Sequence, residues 1–344
     1  MSQANAVLRK EAMQTTVAQA IDNYLVVSKL EGKSPETVIW HQKKLMGFLE
    51  FLQAELGDGV LVRDLSIDHG RAFIKHLMDR KTKYADHPHH REIEGGLAPS
   101  TINGFARSLK AFSSWLEEDG YAESNIMKRL KPPKVPRILI RPLTEDELRK
   151  ILLAIPQDTP EGVRNFAIVL MFCDTGIRLS ELVHLRVADF DARAGEFKVY
   201  GKGARERNVP IGRNARRAVV RYVEHHRPEP VNPQEVRLFL TVAGDPMSRN
   251  SIGKMVQRLA RRTGLRRVHP NLFRHTFAVR YLTNGGDVFT LQKILGHKSL
   301  EMTRRYVSLA SADVKETHRL YSPIDNLGSI GGKHGRPRRR RIAD

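Results

Sequence analysis

Cysteine is almost absent from this chain. Cys173 is the one thiol in 344 residues, so no disulfide can form within it. It follows the apolar run Ile168-Val169-Leu170-Met171-Phe172 and reads as a buried thiol in a reducing compartment. Long hydrophobic runs are missing as well. No stretch approaches the roughly 20 consecutive apolar residues of a membrane-spanning helix, and the polar N-terminus lacks the apolar region of a secretory signal. A cytoplasmic or nucleoid location is expected. Acidic residues are the third shortage: 38 Asp+Glu stand against 58 Lys+Arg, a formal net charge of +20. The excess is spread along the chain, which points to a polyanionic partner. Nucleic acid is the first candidate. No basic amphipathic helix supports an anionic membrane surface, so no membrane partner is expected.

What is present is globular composition, 40% hydrophobic and 28% charged, with length enough for two domains and no internal repeat. Helical periodicity begins near Val17. Ser34-Pro35 reads as an N-cap followed by proline at the first helical position, with Val38, Leu45, Phe48, Leu49 and Leu52 on one face. A third helix is expected from Ile67 to Met78. Residues 79–98 read as a polar loop, and its His87-Pro88-His89-His90 run, lacking a partner Cys or Asp cluster, reads as solvated. Ser100 reads as the cap of a helix with Ile102, Phe105, Leu109, Phe112 and Leu116 inside. These elements predict an all-helical domain over residues 15–127.

The run Lys131-Pro132-Pro133-Lys134-Val135-Pro136-Arg137 predicts a basic extended linker over residues 128–143, with Lys131 and Lys134 suited to a phosphate backbone. Thr144 and Glu147 form a capping box that opens a second domain, 144–325. An apolar helix is expected from Val163 to Cys173. The period then changes to two. Leu185 to Phe190, Phe197 to Tyr200 and Asn208 to Ile211 predict a small antiparallel sheet, the last two joined by a turn at Gly201-Lys202-Gly203-Ala204-Arg205. Helices resume, and residues 326–344 read as a basic disordered tail.

Four short strings carry chemistry. In Thr175-Gly176-Ile177-Arg178-Leu179-Ser180-Glu181-Leu182, Gly176 turns the chain after an apolar helix and Ser180 is placed to cap the next. Arg178 is then held at a rigid junction with Glu181 close enough to orient it, and its planar fork suits a phosphate. Alone, it would be a surface arginine. Lys202 stands between glycines at a hairpin tip, which alone is routine. In His269-Pro270-Asn271-Leu272-Phe273-Arg274-His275-Thr276-Phe277, packed neighbours hold Arg274, and His275 reads as a core histidine donating to a backbone carbonyl. In the last string Gly296 ends one helix before His297, Ser299 caps the next, and Tyr306 lies two turns in. A tyrosine on such a helix is ordinarily core. Together, though, a guanidinium, an imidazole and a phenol can hold, protonate and attack a phosphodiester.

The set resembles the tyrosine recombinase family, the phage integrases and Xer-type recombinases, over nearly the whole chain. Arg178 and Lys202 are 24 residues apart, Arg274 and His297 are 23 apart, and His297 and Tyr306 are nine apart. The Thr-Gly-x-Arg-x-Ser-Glu-Leu, Arg-His-Thr-Phe and Leu-Gly-His strings match as well. The resemblance implies a mainly α fold: an N-terminal helical core-DNA-binding domain and an α+β catalytic domain with a small antiparallel sheet. It implies that Tyr306 attacks the scissile phosphate to form a 3′-phosphotyrosyl link, while Arg178 and Arg274 hold the non-bridging oxygens. Lys202 would protonate the 5′ leaving oxygen, His297 would hydrogen-bond the phosphate, and Glu181 would support Arg178. No metal or other cofactor is required. The expected partner is double-stranded DNA with paired inverted-repeat sites, bound by a tetramer, with an accessory DNA-bending or directionality protein as an optional addition. The short segment before the first helix favours an Xer- or transposon-like system over the larger phage integrases.

One position departs from the pattern. Asn271 stands where the family carries His or Lys, and an amide cannot take the tyrosine proton. The general base is therefore left unassigned. Two rival classes follow: a catalytically weak or silent DNA-binding protein of the same fold, and a topoisomerase IB-like nicking enzyme.

Overall fold

The computed structural model describes residues 14–83, 93–136, 140–201, 206–307 and 322–324. The chain forms two compact units that divide between Ile138 and Leu139. In the first, Thr16 and Gln19 close a capping box on α1 (Val17–Leu30). The Ser34 hydroxyl accepts from the Thr37 amide at the head of α2 (Pro35–Leu56), with proline in the first turn. A 3-10 turn (Val62–Asp64) leads to α3 (Ile67–Asp79). Short strands β1 (Thr82–Lys83) and β2 (Ile93–Glu94) pair antiparallel inside the stretch expected to be loop. The histidine run at 87–90 lies outside the described residues. Helix α4 (Pro99–Glu118) is capped by Ala98 rather than Ser100, because Pro99, with no amide hydrogen to satisfy, takes the first helical position.

Apolar faces of α1 to α4 meet in one core, where Tyr24 packs edge-on to Phe112 and Phe48 lies 5.2 Å from Phe73. Phe105, expected inside, is only partly buried and carries the Lys44 ammonium 3.7 Å from its ring centre. Met127 and Leu130 are also buried in this core, and the Lys110 ammonium donates to the carbonyls of Lys128 and Leu130. The start of the expected linker is thus packed against the helices: apolar burial at Leu130 outweighs the extended bias of the prolines that follow. Lys131 and Lys134 are exposed, outside any helix or strand.

The second unit opens with α5 (Glu145–Leu153), closed by the Thr144–Glu147 capping box. Next come α6 (Pro160–Thr175) and the single turn α7 (Leu179–Leu182). Three strands follow: β3 (Phe190–Asp191), β4 (Glu196–Tyr200) and β5 (Glu206–Pro210), antiparallel in the order β3-β4-β5 with Phe197 opposite Val209. The first strand is shorter than expected, because Val187–Asp189 coils into a 3-10 turn. Helices α8 (Arg213–His225), α9 (Arg249–Arg262), α10 (Pro270–Thr283), α11 (Val288–Leu295) and α12 (Glu301–Val307) follow among the described residues of this unit. Helix α12 starts two residues beyond the expected cap, and the Ser299 carbonyl accepts from the Met302 amide.

Alternation along β4 buries Phe197 and Val199 in a core shared with residues of α6, α8 and α10. Phe172 of α6 and Phe273 of α10 stack at 6.0 Å and 4°. Cys173 is partly buried against this core, and burial pushes its thiol up to about 12. Phe172 is fully buried, so Phe172→Ala is expected to cost about 3–5 kcal/mol, read as a lower midpoint in urea unfolding followed by circular dichroism.

Candidate active site

The site is built on helix ends. Helix α6 stops at Gly176, which has φ +59°. A Cβ there would also lie 2.5 Å from Phe277 and 2.9 Å from Leu295, so both the backbone and its neighbours require glycine. The chain re-enters helix at once. The residue that caps α7 is Arg178, not Ser180, which is exposed inside the turn. Arg178 donates its amide hydrogen to Glu181 Oε2 at 3.0 Å and its Nη1 to Oε1 at 2.8 Å. Its Nη2 reaches the Gly296 carbonyl at 3.3 Å.

Glu181 is shared. Arg207, on β5, donates Nη1 and Nη2 to the two carboxylate oxygens at 3.0 and 2.9 Å, and its Nε to the Ile294 carbonyl at 2.9 Å. Burial alone would push the Glu181 carboxyl up. The bonds and charge of Arg207, with those of Arg178, outweigh burial and hold it below the ordinary carboxylate range. Arg207 was not expected from the sequence, yet it left a signal. It shares a strand face with the buried Val209, and a charged residue on a core-facing position calls for a buried partner of opposite sign.

Arg274, on α10, is 6% exposed. Its Nη1 donates to the Gly176 carbonyl at 2.7 Å and its Nη2 to the Leu295 carbonyl at 2.7 Å. Both carbonyls sit at helix ends, where they have no helical donor. Nη2 also reaches His297 Nε2 at 3.0 Å. Burial, with the neighbouring Arg178 charge second, lowers Arg274 to about 9, so it stays cationic at neutral pH.

A guanidinium only donates, so the Nε2 of His297 is the acceptor. The ring proton then sits on Nδ1, which donates to Thr303 Oγ1 at 2.8 Å. Thr303, fully buried, is a second residue the sequence reading missed. It lies six residues past His297, across the bend from α11 to α12, so helical periodicity gave no hint of it. Tyr306, on α12, is 1% exposed within a small cluster with Ala278, Val279, Leu291 and Leu295. Its ring lies 6.2 Å from that of His297 and 5.5 Å from that of His275.

Arg178, Asn271, Arg274, His275, His297 and Tyr306 thus line one cleft of about 540 Å³. Asn271 is exposed at its edge. His275 is half-buried and faces this cleft, where the sequence suggested a core histidine. Lys202 lies outside the described residues, between the ends of β4 and β5. Three guanidiniums and one carboxylate leave a positive surplus beside the cleft, which suits a bound anion such as a phosphate. Among the described residues, no group of three or more His, Cys, Asp or Glu is placed to hold a metal ion, and no helix is long and apolar enough to cross a membrane.

Residues 141–312 match the Phage integrase family. The chain is 30% identical to the tyrosine recombinase XerC of Pelotomaculum thermopropionicum, over 88% of this chain and 97% of that protein. It is 33% identical to the tyrosine recombinase XerD of Xanthomonas axonopodis pv. citri, over 66% of this chain and 77% of that one. Among solved structures, the Tn1549 transposon integrase in complex with transposon right end DNA superposes with a TM-score of 0.67 at 19% identity, covering 92% of this chain and all of that one. The XerH site-specific recombinase bound to difH substrate gives 0.64 at 20% identity, covering 90% and 85%. The chain belongs to the phage integrase family of tyrosine recombinases, enzymes of site-specific DNA recombination. That membership favours recombination over the binding-only and nicking alternatives.

Removing one partner of a buried ion pair costs about 3–5 kcal/mol, so Arg207→Ala is expected to lower stability on that scale at pH 7, measured by denaturant unfolding. The sign of the pH effect follows from Glu181, whose folded pKa lies below its ordinary value. Its contribution is full above the unfolded carboxylate pKa and is lost as pH falls through the folded one. The mutant is therefore expected to show a shallower acid-side loss of stability than the parent.

Proposed function

We propose that this recombinase cleaves and rejoins double-stranded DNA through a 3′-phosphotyrosyl link on Tyr306. The observation that carries the reading is the convergence of Arg178, Arg274, His297 and Tyr306 on one cleft, from three separate segments of the chain. The phosphodiester enters against Arg178 and Arg274, which donate to its non-bridging oxygens. The helix-end carbonyls orient Arg274, and Glu181 orients Arg178. The guanidinium donors are set before the substrate arrives, so little reorganisation accompanies the growth of charge. The Tyr306 oxygen attacks phosphorus, the bond to the 5′ oxygen breaks, and Lys202 delivers a proton to that oxygen. The covalent link retains the phosphoester bond, so a 5′-hydroxyl from a second duplex reverses the step without an external energy source.

Strand exchange between two duplexes requires protomers on paired sites. We infer inverted-repeat sites and a tetramer, with the segment that follows Tyr306 joining neighbouring protomers. Lys131 and Lys134, exposed beyond the first unit's core, contact phosphates in this reading.

A suicide substrate nicked beside the cleavage point tests the chemistry. The parent is expected to accumulate a covalent protein–DNA adduct, and Tyr306→Phe to form none while still binding the site. A persistent adduct in that variant would refute the assignment. Phosphate binding by the two lysines is read separately, from the salt dependence of affinity. The Lys131→Ala/Lys134→Ala variant is expected to reduce the slope of log K against log salt by about 0.9 for each phosphate no longer neutralised. An unchanged slope would remove both lysines from the interface.

A further inference from the structure

We infer that His275 takes the proton from Tyr306 in this chain, the duty that Asn271 cannot perform. The inference rests on the proposed role of Tyr306 as nucleophile. The cleft holds three imidazoles, His269, His275 and His297. His297 is already engaged through both ring nitrogens: Nε2 accepts from Arg274 and Nδ1 donates to Thr303. For it to accept a proton from the phenol, Arg274 would have to give up that acceptor. His269 caps α10 and is exposed at the margin of the cleft. His275 stands six residues further along, within α10, half-buried, with its ring centre 5.5 Å from that of Tyr306 and the planes tilted at 54°. At that separation the imidazole and the phenol are neighbouring side chains in the cleft. Catalytic hydrogen bonds are commonly loose before substrate binds and tighten to about 2.6–3.2 Å in the reacting complex.

Placement on α10 adds a second argument. His275 follows Arg274 directly, and the carbonyls of Gly176 and Leu295 pin that arginine. The same backbone that sets the phosphate donor therefore sets the base, and the spacing between phosphate and proton acceptor is fixed by one helical step. In the forward step the Tyr306 hydroxyl proton passes to the His275 nitrogen, the oxygen–phosphorus bond forms, and the leaving 5′ oxygen takes its proton from a separate acid. On resealing, a 5′-hydroxyl gives its proton back to that separate group as it attacks, the phosphotyrosyl bond breaks, and His275 returns its proton to the departing phenolate.

The test separates base from acid and from fold. His275→Gln keeps a hydrogen-bonding side chain of similar reach but removes the proton acceptor. It is expected to slow adduct formation by about 10²–10⁴-fold, with site affinity unchanged. A substrate whose 5′ bridging oxygen is replaced by sulfur needs no leaving-group acid, so it is expected to leave this defect in place. Replacing Tyr306 with a difluorotyrosine, which ionises near neutral pH, is expected to restore most of the rate in the His275→Gln background. Asn271→His in that background is likewise expected to recover activity. Four results would overturn the proposal: a parent-like rate in His275→Gln, rescue by the sulfur substrate, failure of the fluorinated tyrosine to rescue, or an equal defect confined to His269→Gln. Absence of any adduct in the parent protein would instead overturn the assignment of Tyr306 itself.

Discussion

One carboxylate holds the site together. Glu181 is buried at the start of α7 and is gripped from two directions, by Arg178 on its own turn and by Arg207 on β5. Desolvation of that carboxylate is offset only while both guanidiniums stay in place. The ion pair therefore ties three pieces of chain to one another: the junction after α6, the sheet, and the end of α11, where Arg207 also holds the Ile294 carbonyl. Gly296 lies against the Arg207 guanidinium, so close that a Cβ there would come within 3.0 Å of it. From that anchored end follow His297 and then the helix bearing Tyr306.

The consequence is a positively charged floor that needs no assembly when a phosphate arrives. Arg274 is buried and held by backbone carbonyls, and its pKa is pulled down to about 9 by burial and by the neighbouring Arg178. In the proposed reading, the negative charge of a phosphate offsets the mutual repulsion of these two guanidiniums.

Much of this was legible from the chain itself. The capping box at Thr144, the N-cap and proline at Ser34-Pro35 and the period-two runs around Phe197 and Val209 gave helices and strands near their observed places. The motif strings gave Arg178, Arg274, His297 and Tyr306, which the structure gathers in one cleft. Failures came where a neighbouring residue or a distant contact overrode the expected signal. Ser100 and Ser180 lost their capping roles, one to the proline beside it and the other to an arginine held by Glu181. Leu130 left the linker for the core of the first unit. Arg207 and Thr303 were missed because their importance lies in partners distant along the chain or across a bend, which no helical or strand period encodes. His275 was read as core, since nothing in the sequence distinguishes a buried ring from one at the wall of a cleft.

The identity of the attacking residue is the central claim, and the most direct measurement is chemical. The trapped protein–DNA adduct can be digested with protease and nuclease and the modified peptide sequenced by mass spectrometry. The account predicts a nucleotide remnant joined through its 3′-phosphate to the peptide containing Tyr306. A remnant on any other residue, or one joined through a 5′-phosphate, would contradict it.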